Sequence, residues 1–323
     1  MRIGLVDVDG HNFPNLALMK LSAWHKAQGD EVEFVLPLDY YDKIYVSKVF
    51  GNEYSAPPLI QYQAKEIIYG GTGFAITIEN GKEVYHKDRD PNLPYEVEHC
   101  YPDYSLYPEL TKDTAYGFLS RGCPNNCDFC LVSNKEGRCS QKVADLSEFW
   151  NGQKYIKLLD PNLLACKQKE ELLQQLIDSK AEVEFVQGLD ARFITEDIAK
   201  LLKQIKVKKI HFAFDYMKNE KAILQGLKIF QEICPTVDSK AIVYILTNFD
   251  TTIEQDLYRV NKVRELGYLP DVRIYRKPTA PRIIRDLQRW CNNRILFRSC
   301  EFVDYVPRKD SKTIREIYFK EKL

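Results

Sequence analysis

Three of the nine cysteines stand together in Arg121-Gly122-Cys123-Pro124-Asn125-Asn126-Cys127-Asp128-Phe129-Cys130, a CxxxCxxC spacing in a short polar loop. Three thiolates converging from one loop suit three irons of a cubane cluster. The fourth iron then has no protein ligand and can chelate a substrate or cofactor. An electron-transfer cluster normally has four protein ligands. The competing assignment is a closed zinc site, which takes four ligands. The nearest fourth candidates are Cys139 and distant histidines, with no further CxxC pair or HxxxH beside them. Cysteines that merely pack as small apolar residues would have no reason to share a Pro-Asn-Asn loop. Cys100, Cys139, Cys166, Cys234, Cys291 and Cys300 show no pairing at cluster spacing, so no second cluster is expected.

The loop needs a frame, and βα alternation supplies one. Candidate strands are Ala115–Ser120, Lys154–Leu159, Glu182–Gln187, Val207–Phe214, Lys240–Leu246 and Asp271–Tyr275. Helical spacing falls between them, near Val143–Trp150, Lys169–Ser179, Glu196–Ile205, Asn219–Ile233, Ile253–Leu266 and Pro281–Trp290. The fifth of these carries apolar residues at Ile253, Leu257, Val260, Val263 and Leu266, close to helical period. Six βα units predict a parallel sheet with helices outside, most simply a partial (βα)6 TIM-like barrel over 115–292, with a C-terminal extension at 293–323. The cysteine loop leaves the first of these strands at its C-terminal end, where such barrels gather their chemistry.

Ahead of it lies a smaller α/β unit, residues 1–85. Arg2–Val8 reads as a strand, Asn15–Gln28 as a helix stopped by Gly29, and Glu31–Leu36 as a second strand. Asp42–Val46 and Glu66–Tyr69 read as further strands, the last running into Gly70-Gly71-Thr72-Gly73. This pattern predicts a Rossmann-like parallel sheet. Residues 86–114 form a connector, with Pro91, Pro94, Pro102 and Pro108 interleaved with Tyr95, Tyr101, Tyr104 and Tyr107. Prolines restrict helix and central strand alike, and the tyrosines imply that the connector is packed.

The segment Arg121–Cys130, with Phe129 just before the third cysteine, resembles the signature loop of the radical S-adenosylmethionine (SAM) superfamily. The six βα units are similar to that family's partial barrel. The resemblance implies a [4Fe-4S] cluster on Cys123, Cys127 and Cys130 whose open iron chelates the amino and carboxylate groups of SAM. Reductive cleavage then yields a 5′-deoxyadenosyl radical that abstracts hydrogen from a substrate. An external electron donor of flavodoxin or ferredoxin type is implied as a partner. By family position Phe129 lies by the adenine. Asp160 and Asn162, in a segment without the family's glycines, fall where the SAM amino group is held. Gln187, Asp190 and Arg192 fall near the SAM carboxylate or ribose, and Asp215 near the ribose hydroxyls. Arg192 suits a carboxylate because its guanidinium can bind both oxygens. For each polar residue the alternative is a helix N-cap or a surface pair.

The N-terminal unit is similar to a B12-binding domain. Asp9-Gly10-His11-Asn12-Phe13-Pro14 parallels the DxHxxG loop that supplies a cobalt ligand, with Pro14 where that pattern has glycine. A degenerate domain kept for partner or substrate contact is expected, with cobalamin binding, and hence a cobalamin-dependent methyltransferase, as the alternative. A non-catalytic iron–sulfur or zinc protein is the alternative of another class.

The formal net charge is zero but uneven. Residues 1–110 carry 9 Lys/Arg against 17 Asp/Glu, and the rest 37 against 29, which hints at two units with different surfaces. Arg282, Arg285 and Arg289 fall on one helical face, either a solvated stripe or a contact for an anionic substrate such as a nucleotide. The apolar runs are too short to span a bilayer. Met1-Arg-Ile-Gly-Leu-Val-Asp7 turns acidic too soon for a secretory signal, so a cytoplasmic enzyme without a disulfide framework is expected.

Overall fold

The computed structural model describes residues 1–10, 12–51, 55, 61–235, 240–308 and 310–319. The chain divides into two compact units, Met1–Asp160 and Pro161–Leu323.

In the first unit, β1 (Arg2–Asp7) leads to α1 (Leu16–Ala27), then β2 (Glu31–Phe34), β3 (Tyr40–Ser47) and β4 (Gln63–Gly70). All pairings are parallel and the order is β2-β1-β3-β4. Asn15 starts α1 by accepting from the Leu18 N–H at 3.2 Å, and Gly29, at φ +81°, ends it as only an achiral residue does without strain. One face of the sheet buries Ile3 and Leu5 against Leu18, Leu21 and Val97, and the other buries Tyr41, Ile44 and Val46.

A hairpin follows, β5 (Ile76–Glu79) and β6 (Lys82–Tyr85), which the sequence reading did not anticipate. Its turn is Asn80-Gly81, both at positive φ, the dipeptide that two-residue hairpins prefer. Residues 86–113 then run through short helical turns. Here Tyr104 donates its hydroxyl to the Phe149 carbonyl at 2.5 Å and Tyr107 donates to Asp7 Oδ2 at 2.6 Å. Tyr104 and Tyr107 thus anchor the connector, whereas Tyr95 and Tyr101 are exposed.

The expected strand Ala115–Ser120 is split into β7 (Thr114–Gly117) and the two-residue β8 (Ser120–Arg121), which pairs antiparallel with β9 (Gln141–Lys142). The helix expected over Val143–Trp150 does not form. Only the 3-10 turn Leu146–Glu148 is present, capped reciprocally by Asp145 and Glu148. The stretch is short and Asn151-Gly152 follows, so the cost of nucleating a helix is not recovered by propagation. Phe149 is buried instead, its ring filling the space where a Cβ on Gly117 would stand, 2.3 Å away. The unit closes with β10 (Tyr155–Leu158), parallel to β7.

In the second unit, α2 (Lys169–Ser179) precedes β11 (Glu182–Leu189). Then α3 (Glu196–Gln204), β12 (Lys206–Ala213), α4 (Glu220–Ile233), β13 (Ala241–Thr247), α5 (Ile253–Glu265), β14 (Leu269–Ile274) and α6 (Arg282–Asn292) alternate. Within this unit the sheet order is β14-β13-β12-β11, without reversal, and these four strands pair in parallel. Right-handed crossovers through α3, α4 and α5 along an unreversed strand order must all fall on one face of the sheet. Phe212 accordingly packs on Phe230 of α4, and Val272 accepts a bond from Gln288 of α6.

Candidate functional site

The cysteines lie on one excursion between β8 and β9. Gly122 opens it at φ +87°, and a Cβ there would stand 2.2 Å from the Cys139 carbonyl oxygen, so only glycine fits. Its N–H donates to Glu136 Oε2 at 3.3 Å, and Cys123 N–H donates to the Gly137 carbonyl at 3.1 Å, closing the excursion on itself. Cys130 N–H donates to the Cys127 carbonyl at 2.9 Å, a tight turn carrying Asp128 and Phe129. Cys123, Cys127, Cys130 and Phe129 are all half-buried.

The helical turn Val132–Glu136 that follows is tied down by Lys135, which donates to Thr72 Oγ1 and pairs with Asp90 at 3.5 Å. Arg121 lays its guanidinium over the Phe118 ring at 4.2 Å.

The donor chemistry of the excursion, three thiols four and three residues apart, suits a cluster with one open iron. Among the described residues no three His, Cys, Asp or Glu side chains come together as a group that could hold a metal ion, so the three sulfurs are not gathered around one point.

Asp160 sits at the C-terminal end of β10, 6% exposed. Oδ1 accepts from the Ser120 N–H at 2.5 Å and from the Ser120 hydroxyl at 2.7 Å, and Oδ2 accepts from the Leu119 N–H at 3.2 Å. Burial pushes its pKa up to about 6 despite these bonds. The sequence reading placed this carboxylate near SAM, whereas here it fixes the strand that leads into the cysteines.

In the second unit Asn162, buried, donates to Asp190 Oδ2 at 3.2 Å. Asp190 caps a 3-10 turn by accepting from the Arg192 N–H at 3.2 Å, and it takes the Arg192 guanidinium as a fork at 2.8 and 2.6 Å. The fork expected for a ligand carboxylate is thus oriented by a neighbouring aspartate. Gln187 lies exposed on β11, where the register with β12 shifts between Phe185 and Leu189 and Gly188 takes φ +99°. Such irregularities re-aim side chains next to functional sites.

Asp215 follows β12. Its Oδ1 accepts from the Leu246 N–H at 2.9 Å, and burial pushes its pKa up to about 6. Beside it Arg259 of α5, fully buried, donates to the carbonyls of Phe214, Asp215 and Leu246 at 2.7 to 2.9 Å and to Asp256 at 2.5 Å. This guanidinium knits the ends of β12 and β13 together. The sequence reading missed it, although Asp256 and Arg259 stand three apart on a helix of strong period, where such pairs meet.

The glycine turn of the first unit is occupied by the chain itself. A Cβ on Gly71 would stand 2.4 Å from the Lys48 carbonyl oxygen, and one on Gly73 2.3 Å from that of Phe50. The glycines therefore serve packing against residues 48–50, and that turn does not fit a corrinoid tail. His11, the candidate cobalt ligand, lies outside the described residues. The arginine stripe on α6 is drawn onto its own acids: Arg289 pairs with the buried Asp286 at 3.3 Å, and Arg282 pairs with Asp286 and Asp310. Among the described residues no helix is long and apolar enough to cross a membrane.

No protein-family model matches the chain, and no curated protein matches it.

Proposed function

We propose that the chain is a radical SAM enzyme, with Cys123, Cys127 and Cys130 holding a [4Fe-4S] cluster. The observation that carries this reading is the cysteine excursion, three half-buried thiols on a loop closed through Gly122 and Gly137 between the antiparallel strands β8 and β9. The unreversed parallel order of β11 to β14 supports reading the βα units as a partial (βα)6 barrel. When bound, the cluster supplies an open iron for SAM and the electron that cleaves its sulfonium to a 5′-deoxyadenosyl radical. An external one-electron donor is required.

The chain's own residues hold and orient. Asp160 fixes Leu119 and Ser120 and is assigned to positioning the cysteine loop. Phe129 is proposed for the adenine, Gln187 and the oriented Arg192 for the SAM carboxylate or ribose, and Asp215 for the ribose hydroxyls. Asn162 orients Asp190, which orients Arg192.

The test follows the fate of SAM. Anaerobically reconstituted protein with dithionite and SAM is expected to release 5′-deoxyadenosine, and the Cys123→Ala/Cys127→Ala/Cys130→Ala variant is expected to release none. Intact SAM in the presence of an assembled cluster would overturn the reading in favour of a binding or sensing protein.

A further inference from the structure

Parallel sheets are ordinarily covered on both faces and read as continuous apolar runs. In the second unit, β11 to β14 depart from this. The residues facing α3, α4 and α5 are apolar and buried: Ile210, Phe212, Val243, Ile245 and Val272. The registers Glu184↔Lys209, Ala213↔Tyr244, Tyr244↔Asp271 and Leu246↔Arg273 put a second, polar set on the opposite face. Its centre is a stack across three neighbouring strands. The rings of His211 and Tyr244 lie 4.9 Å apart and 7° from parallel, and the Arg273 guanidinium stands 4.6 Å from the Tyr244 ring centroid.

Each member of the stack is fixed. His211 Nδ1 lies 2.7 Å from the Phe185 carbonyl oxygen. A carbonyl only accepts, so Nδ1 carries the proton and Nε2 of the neutral ring is an acceptor. Burial lowers the pKa of His211 and favours that neutral form. Asp271 pairs with Arg273 Nη2 at 3.0 Å, and the Arg273 side chain remains 56% exposed. A guanidinium stacked on an aromatic ring and steadied by one carboxylate is preorganised for a second oxyanion.

We propose that this face, opposite α3, α4 and α5, binds a substrate bearing an oxyanion, a carboxylate or phosphate, with Arg273 taking the anion and His211 Nε2 accepting from a neighbouring N–H or O–H. The assignment of this ligand as substrate of a radical reaction rests on the proposed function, whereas its binding does not. On the same face Glu184 and Asp271 offset Lys209 and Arg273, a balance that favours a ligand with a single compact anionic group over a polyanion.

The test reads binding without turnover. The 323-residue chain with ¹⁵N-labelled histidine rings is titrated with inorganic phosphate and, separately, with acetate, at constant ionic strength. Saturable shifts of the His211 ring signals are expected, and the anion that binds more tightly distinguishes phosphate from carboxylate. Arg273→Gln is expected to weaken binding about tenfold, the worth of one charge-assisted pair. Arg273→Lys is expected to fall between, and Arg285→Gln on α6 to leave binding unchanged. Absence of a His211 response to either anion, or wild-type affinity in Arg273→Gln, would overturn the proposal. Because no SAM is present, failure of the radical reading leaves these outcomes legible.

Discussion

The carboxylate of Asp160 holds the Ser120 N–H and hydroxyl at 2.5 and 2.7 Å, three residues ahead of Cys123. The end of one strand thereby sets where the cysteine loop leaves its neighbour. In Asp160→Asn the amide NH2 must face one of the N–H donors of Leu119 and Ser120, which leaves a buried donor unsatisfied. A loss of about 1–3 kcal/mol is expected, with reduced iron incorporation, measured by denaturant unfolding and iron content. Ser120→Ala removes only the hydroxyl and is expected to lose about 1 kcal/mol.

The same carboxyl makes stability depend on pH. Its pKa rises from 3.8 to about 6 on folding, so the folded state holds the proton more tightly than the unfolded chain. The contribution is fully present below pH 3.8 and is lost as pH rises through about 6, amounting to roughly 3 kcal/mol for a shift of this size. Asp215, also raised to about 6 by burial, adds a slope of the same sign. Unfolding free energies between pH 4 and 7 are expected to fall less steeply in Asp160→Asn, with Asp215 supplying what remains. An unchanged slope would show that Asp160 is ionised throughout.

Two glycines on the cysteine excursion separate crowding from strain. Gly122 and Gly137 both take positive φ, but a Cβ at Gly122 would stand 2.2 Å from the Cys139 carbonyl oxygen, whereas at Gly137 nothing lies within 4 Å. Gly137, at φ 96° and ψ 165°, sits in a region essentially reserved for glycine, so Gly137→Ala is expected to cost about 1–3 kcal/mol of backbone strain and to load iron normally. Gly122→Ala must move the Cys139 backbone and is expected to lose cluster loading, read from the iron-to-protein ratio and the visible absorbance of the reconstituted protein.

Arg259 and Asp256, both fully buried, form a pair whose halves are unequal in consequence. Arg259→Met frees the carbonyls of Phe214, Asp215 and Leu246 and leaves Asp256 as a buried charge without its cation. A loss of about 3–5 kcal/mol is expected. Arg259→Met with Asp256→Leu is expected to recover part of that loss, since an apolar pair of similar volume replaces the ion pair. Chemical denaturation of the two variants checks the order.

The strands and helices of the second unit were legible because each is bracketed by its own signals. Lys169–Ser179 has the bounds that its spacing predicts, and Thr252 and Gln255 form the capping box that starts α5. The pairing of β8 with β9 was not legible, because two residues carry no period. The role of Asp160 was half legible. Its position at a strand end follows from sequence, but the partners that take its oxygens lie 40 and 41 residues away and are chosen by the sheet. The polar face of β11–β14 was hidden for a similar reason. His211, Tyr244 and Arg273 stand in separate segments, and only the register brings them side by side.

Lys135 offers a test of whether the N-terminal sheet positions the cysteine loop. Its ammonium reaches Thr72 in the glycine turn after β4 and Asp90 in the connector, and Asp90 also accepts from the Tyr85 hydroxyl at 3.0 Å. The crowding of Gly71 and Gly73 against residues 48–50 holds that turn rigid, so Lys135 is anchored to a fixed point rather than to a mobile loop. Lys135→Met removes the anchor and leaves Asp90 with Tyr85, so the fold is expected to survive with a loss of about 1 kcal/mol. The effect should appear instead at the loop, as slower reconstitution and a shifted electron paramagnetic resonance spectrum of the reduced cluster. Lys135→Arg should restore both. A spectrum unchanged in Lys135→Met would show that the loop holds its geometry through Gly122 and Gly137 alone.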